Sequence, residues 1–314
     1  AALFTLQMAS NYDVMDQSSN RFIEAYGRAL LGPLPPNARI LAVGDIHCHT
    51  IRYLQACEGF RTDVVYLDQV LMGYKWYNKQ QGPILKQMNV TIPGDFFGPK
   101  EHAKDGLQTY SWEMLLLANM KKKKPLFFSA GGWHIYDDLN MTGPVGFTDK
   151  SALVGLVKWV NRDKTNVNTT FLRDLAIAAS RSMSAFYKSG FPPLRKYPED
   201  TWEDHIAVKL WKARDDFAGL MLQMWNTRRD EVALEEALRE YNDIATTCFD
   251  ERMPATIFKQ LGTAQSSMAG LLQSRGKAEE AAEMLYQSII SLKRYLGTGA
   301  AEAERAGLER DVEG

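Results

Sequence analysis

Asp45, His47 and His49 stand together in the run Gly44-Asp45-Ile46-His47-Cys48-His49, directly after a short apolar segment. A carboxylate and two imidazoles at alternating positions could hold a divalent cation, as at the start of a metal-dependent phosphoesterase. Such a centre needs further ligands to complete a two-metal clamp. No Gly-Asp-x-x-Asp follows the second apolar run, where Tyr66-Leu67-Asp68-Gln69 stands, and no Gly-Asn-His occurs anywhere. His102, His134 and His205 have no partner at ligand spacing. The same residues also have a structural reading, in which Asp45 satisfies backbone amides after Gly44 and the two imidazoles are loop polarity. Glu58 and Arg61 flank Gly59 and read as a local ion pair fixing an elbow, with Asp63 capping or pairing nearby. The ligand-binding candidates are therefore Gly44, Asp45, His47, His49, Glu58, Arg61 and Asp68, with no catalytic residue and no metal site assigned.

Other motifs are weaker. Ser129-Ala130-Gly131-Gly132 could bring backbone amides near a phosphate, but no Gly-Lys-Ser/Thr follows. GxGxxG and GxSxG are both absent. Trp76, Tyr77, Trp202 and Trp211 read as packing residues. Lys121 to Lys124 read as a solvated helix end, with acidic lipid head groups as the alternative partner.

The elements that position these residues can be read from periodicity. A helix is expected over 19–31, with Asp16, Ser18 and Ser19 as cap candidates and Gly32, Pro33, Pro35 and Pro36 as its stop. Residues 40–43 form a fully apolar run suited to a buried parallel strand. Thr50 is placed to cap the next helix, whose Ile51, Leu54 and Cys57 share a face and which Gly59 ends. Strands follow at 64–67 and 126–129, with a helix over 107–120 between them. Over 153–160 strand and helix are not separable by pattern. Alternating strands and helices predict an open, parallel, Rossmann-like α/β sheet.

From about residue 170 the pattern is helical throughout. Ile206, Leu210, Ala213, Phe217, Leu220 and Met224 keep helical period, and Thr201 followed by Asp204 is a capping signal. The last two helices fall at about 254–274 and 277–296. Their Leu261-Gly262, Gly276, Ala281 and Leu285 suggest a degenerate tetratricopeptide-like hairpin. The expected domains are 1–195, α/β, and 196–314, all-α and tetratricopeptide-like.

Composition narrows the classes. The chain has 314 residues, 45% of them apolar, and a formal net charge of −1. It can bury a sizeable core, and it lacks the basic excess of a dedicated nucleic-acid binder. No apolar run reaches the roughly 18–20 residues needed to span a bilayer. Cys48, Cys57 and Cys248 form no disulfide framework, though Cys48 and Cys57 could pair. Asn89, Asn140 and Asn168 each open an Asn-x-Thr sequon and are the glycosylation candidates, a mild argument for a secretory-lumen address.

A longer signature runs through the first half. Asn11-Tyr12, Asp16-Gln17-Ser18-Ser19-Asn20, Gly44-Asp45, Leu54, Cys57-Glu58-Gly59-Phe60-Arg61-Thr62-Asp63, Asp68-Gln69 and Tyr74-Lys75-Trp76-Tyr77 fall in one order. That order resembles the soluble C-terminal region of a family of multi-spanning GT-C-type protein O-mannosyltransferases, whose animal member acts on IPT domains of plexins. It continues more loosely through Ile92-Pro93-Gly94, Tyr110, Asp149-Lys150, Trp202 and Ala213-Arg214. The resemblance implies an α/β domain followed by tetratricopeptide-like helices in the lumen of the endoplasmic reticulum, joined to the membrane through a part absent here. The dolichol-phosphate-mannose donor and the catalytic acid would then belong to the membrane domain, leaving no cofactor to this chain. Its partners would be that membrane domain or other subunits, and the acceptor protein. Animal relatives have no His pair after Gly-Asp, so His47 and His49 depart from the pattern. Two alternatives stand beside this one: a stand-alone binding or assembly subunit without enzymatic activity, and the phosphoesterase built on Asp45, His47 and His49.

Overall fold

The computed structural model describes residues 7, 10–12, 20–42, 44–98, 106–120, 126–129, 151–154, 156–160, 169–188, 197–248, 254–299 and 302. The first half contains α1 (Phe22–Leu31), β1 (Arg39–Ala42), α2 (Asp45–Ala56), β2 (Val65–Asp68), the single turn α3 (Gln69–Met72), α4 (Lys75–Gln87), β3 (Phe96–Phe97) and β4 (Thr109–Tyr110). It continues with α5 (Trp112–Met120), β5 (Leu126–Ser129), β6 (Ser151–Val154) and β7 (Val157–Val160). The second half is all helical: α6 (Thr169–Lys188), α7 (Trp202–Arg228), α8 (Glu231–Asp243) with a π-helical turn at Ile244–Cys248, α9 (Thr256–Ser274) and α10 (Ala278–Leu296). The chain is thus an α/β unit followed by an all-α unit.

The main sheet has the order β2-β1-β5-β7-β6. The expected parallel sheet is present in its first three strands, with Ala42 in register with both Asp68 and Ser129. The ambiguous segment at 153–160 resolves as a hairpin, and β7 joins β5 antiparallel, so the sheet is mixed rather than wholly parallel. Strand faces alternate as the pleat requires. Ile40, Ala42 and Phe127 point into one buried cluster. Leu41, Val65, Leu67 and Leu126 point into another, closed by Tyr77 and Leu85 of α4 and Leu115 of α5.

Several elements differ from the expectation, each for a local reason. Asn20 accepts from the Phe22 amide at 3.1 Å as α1 begins, while the expected caps Asp16, Ser18 and Ser19 lie outside the described residues. Strand β1 starts at Arg39, whose buried guanidinium donates to the side chain and carbonyl of Asn119. Helix α2 starts at Asp45, so Thr50 is a buried mid-helix residue and not a cap. The helix expected over 107–120 is shorter, because Thr109–Tyr110 pairs in parallel with Phe96–Phe97. Helix α4 carries no strong apolar stripe and holds Pro83 in its interior. Its anchors are Tyr77, Leu85 and the buried Asn78, whose amide donates to the carbonyls of Met72 and Asp95.

Helix packing in the second half follows the sequence closely. Thr201 caps α7 by accepting from the Asp204 amide at 3.2 Å. Helices α9 and α10 form a tight hairpin whose connection contains Gly276 at φ 76. At their contact a Cβ on Gly262 would lie 2.7 Å from Leu292, so only glycine admits this approach. Ser288 donates to the Gly262 carbonyl at 2.7 Å and satisfies the polar group that this closeness buries. The principal buried cluster runs without a break from Leu30 and Ile40 through α6, α7, α8 and α9 to Tyr295, across the boundary expected at 195/196.

Candidate functional site

The strand order places a topological switch point between β1 and β5, since the chain passes from β1 to β2 on one side and returns to β5 on the other. Ligands of open α/β sheets bind beyond the carboxyl ends of strands at such a point. Gly44 lies there at φ 93 and ψ 150, a backbone state that only glycine adopts without strain. It precedes the first turn of α2, which has no side-chain cap. Asp45 is exposed in that first turn, where the helix dipole favours its charge, but it does not cap the amides as expected.

Helical geometry then separates the three metal-ligand candidates. Asp45 and His49 are one turn apart and both exposed. His47 projects about 200° round the helix from each of them and is 2% exposed. It is therefore a core residue and not loop polarity. Its Nε2 makes a 2.7 Å hydrogen bond with the Tyr26 hydroxyl of α1, while its Nδ1 has no hydrogen-bond partner. Asp45, His47 and His49 do not converge on one ion. No group of three or more His, Cys, Asp or Glu side chains suited to a metal occurs among the described residues. His102 and His134 lie outside those residues, and His205 packs edge-on against Trp202.

Burial, with a smaller contribution from the nearby Lys209 cation, lowers the His47 pKa from 6.5 to about 3. The unfolded chain takes up a proton below pH 6.5 that the folded chain refuses until about pH 3. The stability tied to a neutral His47 is thus complete above pH 6.5 and is lost progressively on acidification, at about 1.4 kcal/mol per pH unit. Urea midpoints measured from about pH 7 to 5 should fall less steeply in His47→Gln than in the parent. Equal slopes would show that this imidazole is not held neutral.

The remaining candidates are braces. Asp68 is 3% exposed. Its carboxylate meets Arg52 at 2.5 Å and caps α3 by accepting from the Leu71 amide at 3.2 Å. Beside it lie the Cys48 thiol, which burial pushes up to about 11, and the Tyr66 hydroxyl, which burial also raises. The expected Glu58–Arg61 pair does not form. Glu58 accepts from the Tyr53 hydroxyl at 2.9 Å and stands 3.7 Å from Arg28. Arg61 turns the other way, donating to the carbonyls of Leu31, Gly32, Leu34 and Pro35 and to both oxygens of Asp63. Asp63 also accepts from the Asn37 amide at 2.8 Å, which fulfils its expected pairing role.

Cys48 and Cys57 are both free. Nine residues of helical rise separate their backbones by about 13 Å, beyond disulfide reach. Tyr77 and Trp211 are buried as expected, whereas Trp76 and Trp202 are 50% and 54% exposed. Asn89 is exposed at φ 64, while Asn140, Asn168, Lys121 to Lys124 and the glycines after Ser129 lie outside the described residues. Sequence reasoning missed Tyr26, Arg52 and the buried pair Arg214–Glu240. The last left a signal, since Arg214 and Glu240 are charges at apolar-stripe positions of consecutive helices.

Comparison with known proteins gives three positive findings. The model of TMEM260-associated domain 2 matches residues 23–173. Protein O-mannosyl-transferase TMEM260 of Mus musculus is 34% identical over 223 residues, which is 68% of this chain and 28% of that protein. Protein O-mannosyl-transferase tmem260 of Dictyostelium discoideum is 28% identical over 252 residues, 76% of this chain and 28% of that protein. The chain therefore spans little more than a quarter of the length of these relatives. No solved structure matches it.

Proposed function

Because the chain belongs to the TMEM260 family of protein O-mannosyl-transferases, we propose that it forms the non-catalytic lumenal part of such a transferase. The supporting observation is the match itself, which joins most of this chain to 28% of each relative and leaves the rest of the enzyme elsewhere. Mannose would pass from a dolichol-phosphate-linked donor to an acceptor protein at a centre outside these 314 residues. The α/β half would pack on the membrane-embedded part, and the helical array would present its surface to the acceptor. The polar residues around β1, α2 and β2 serve this role by holding the α/β half rigid. No described helix is long and apolar enough to cross a membrane.

The test removes this region from the complete protein. Donor binding should survive the deletion and acceptor mannosylation should be lost. Full mannosylation by the deleted protein would refute the reading.

A lumenal address carries its own prediction. Asn89 is exposed, and Thr91 of its sequon is fixed to α5 by two backbone hydrogen bonds with the Asn119 amide. Expressed in the secretory pathway, the chain should carry a glycan at Asn89, seen as a glycosidase-sensitive gel shift that diminishes in Asn89→Gln. An unchanged shift in that variant would exclude Asn89 as an acceptor.

A further inference from the structure

Asp215 of α7 is a carboxylate without a hydrogen bond or ion pair among the described residues. It is partly buried, at the margin between the buried and exposed faces of the helix. Lys212 lies 4.0 Å from Asp216 instead. Burial and the adjacent Asp216 charge raise the Asp215 pKa, with Lys212 opposing them. Holding an unpaired carboxylate in such a place is unfavourable, and a cation brought to it would offset the cost. A second group points to the same spot. Tyr241 of α8 is 1% exposed, and its hydroxyl forms no hydrogen bond with a described residue. A Cβ on Gly219, one turn after Asp215, would lie 3.6 Å from that hydroxyl. The charges of Asp215 and Asp216 reach it too, adding to burial in raising its pKa.

Gly219 leaves the space between them. A contact of 3.6 Å is ordinary for a methyl group, so packing does not require glycine here, in contrast to Gly262. A helix interior favours alanine over glycine, so the notch is kept open at the expense of the helix. Gly219 is partly exposed, which opens the notch to solvent. Asp215 and Asp216 project about 100° apart and do not chelate one metal ion together. We propose that this notch between α7 and α8 takes the cationic side chain, lysine or arginine, of a polypeptide that docks on the helical array. The N–H groups of that side chain would donate to the Asp215 carboxylate and the Tyr241 oxygen, with its aliphatic stem over Gly219. Gln223 and Asn226, exposed within about 80° of Asp215 on the same helix, offer amides to the backbone that flanks it. The notch lies in the helical half alone, and binding there does not depend on the mannosyl-transfer reading.

NMR titration of the 314-residue chain with Nα-acetyl-lysine methylamide, its arginine counterpart and its uncharged norleucine counterpart tests this, from about 1 to 50 mM. At least one of the two cations should shift the Ala218 and Leu220 amide resonances saturably, and the norleucine probe should not. A response to one cation alone assigns the notch to that side chain. Affinity should fall about tenfold in Asp215→Asn and about threefold in Tyr241→Phe. Gly219→Ala should weaken binding while raising the melting temperature by about 1–3 °C. The melting temperatures of Asp215→Asn and Tyr241→Phe should not fall below the parent's, since neither group has a described partner to lose. The responding residue flanked by two glycines on each side should bind more tightly than its capped form. No saturable shift with either cation, or an equal shift with norleucine, would overturn the proposal. Binding unchanged in Asp215→Asn, or a lowered melting temperature in that variant, would do the same. A flanked peptide that binds no better than the capped residue would assign the notch to a free amine and overturn the polypeptide partner.

Discussion

Replacing Arg214 with alanine is expected to destabilise the chain by about 3–5 kcal/mol, read as a fall in the urea midpoint. Arg214 and Glu240 are 1% and 0% exposed, and their side chains are in direct contact. Arg214 also contacts Asp243 and stacks over the Trp211 ring at 5.2 Å, while Ser180 donates to Glu240 at 3.2 Å. The network therefore joins α6, α7 and α8 inside the main core. Removing the guanidinium leaves the buried Glu240 carboxylate with Ser180 and with the half-exposed Arg239 at 3.3 Å, in place of its buried partner, which costs more than losing the pair's net attraction. The size of the effect comes from a buried charge that has lost its buried partner, so removing both charges should relieve it. Arg214→Met combined with Glu240→Leu should return most of the lost stability. A loss below about 1 kcal/mol in Arg214→Ala would mean that the site is wet and the network incidental.

The second large effect is expected at Arg61, where alanine should cost about 2–4 kcal/mol, from the hydrogen bonds of a charged donor to carbonyls that are left without a partner. One guanidinium satisfies four carbonyls at the end of α1 and in the proline-rich turn after it. A helix end leaves such carbonyls without intrahelical partners, and the prolines Pro33, Pro35 and Pro36 supply no amides to replace them. Lysine should recover less than half of the loss, since a point charge cannot reproduce the fork. The Arg61 hydrogen bond also holds Asp63 down from 3.8 to about 2. Whatever stability Asp63 supplies is thus present above pH 3.8 and lost as the pH falls through about 2. In Arg61→Ala the Asp63 carboxyl should titrate close to 3.8, as followed by NMR. An unmoved titration would place the cause elsewhere.

How far the sequence disclosed this architecture depended on what fixes each element. Strands β1, β2 and β5 were legible within a residue because each is a short apolar run stopped by a polar turn. Their edges shifted where tertiary partners decide, as at Arg39, whose burial beside Asn119 no apolar pattern announces. The start of α2 was hidden because Asp45, His47 and His49 alternate with apolar residues and mimic a loop. His47 is buried against Tyr26, 21 positions earlier, a tertiary contact that no local pattern announces. Helix α4 was missed because its anchors are few and an amide, Asn78, does part of the work. In the helical half capping and period sufficed, and Gly262, Gly276 and Thr201 all act as their types suggest.

The turns that carry the candidate residues were legible in the sequence, and the partners of those residues were not. Gly44, Asp68 and Arg61 occupy turns that the sequence identified. Whether a carboxylate or guanidinium faces a ligand or a neighbour depends on distant partners such as Arg52 and the Leu34 carbonyl. The family resemblance identified the family where no single residue did, because it rests on the order of several short motifs and not on the local duty of one side chain.

The central claim is that these residues form a supporting part of an O-mannosyl-transferase and contain no transfer centre of their own. The direct measurement is mannosyl transfer by the purified 314-residue chain, supplied with dolichol-phosphate-mannose and an acceptor that the complete protein modifies. The account predicts no transfer by the chain alone under conditions where the complete protein turns over. Mannosylated acceptor produced by the isolated chain, and lost on replacing Asp45 or His49, would contradict it.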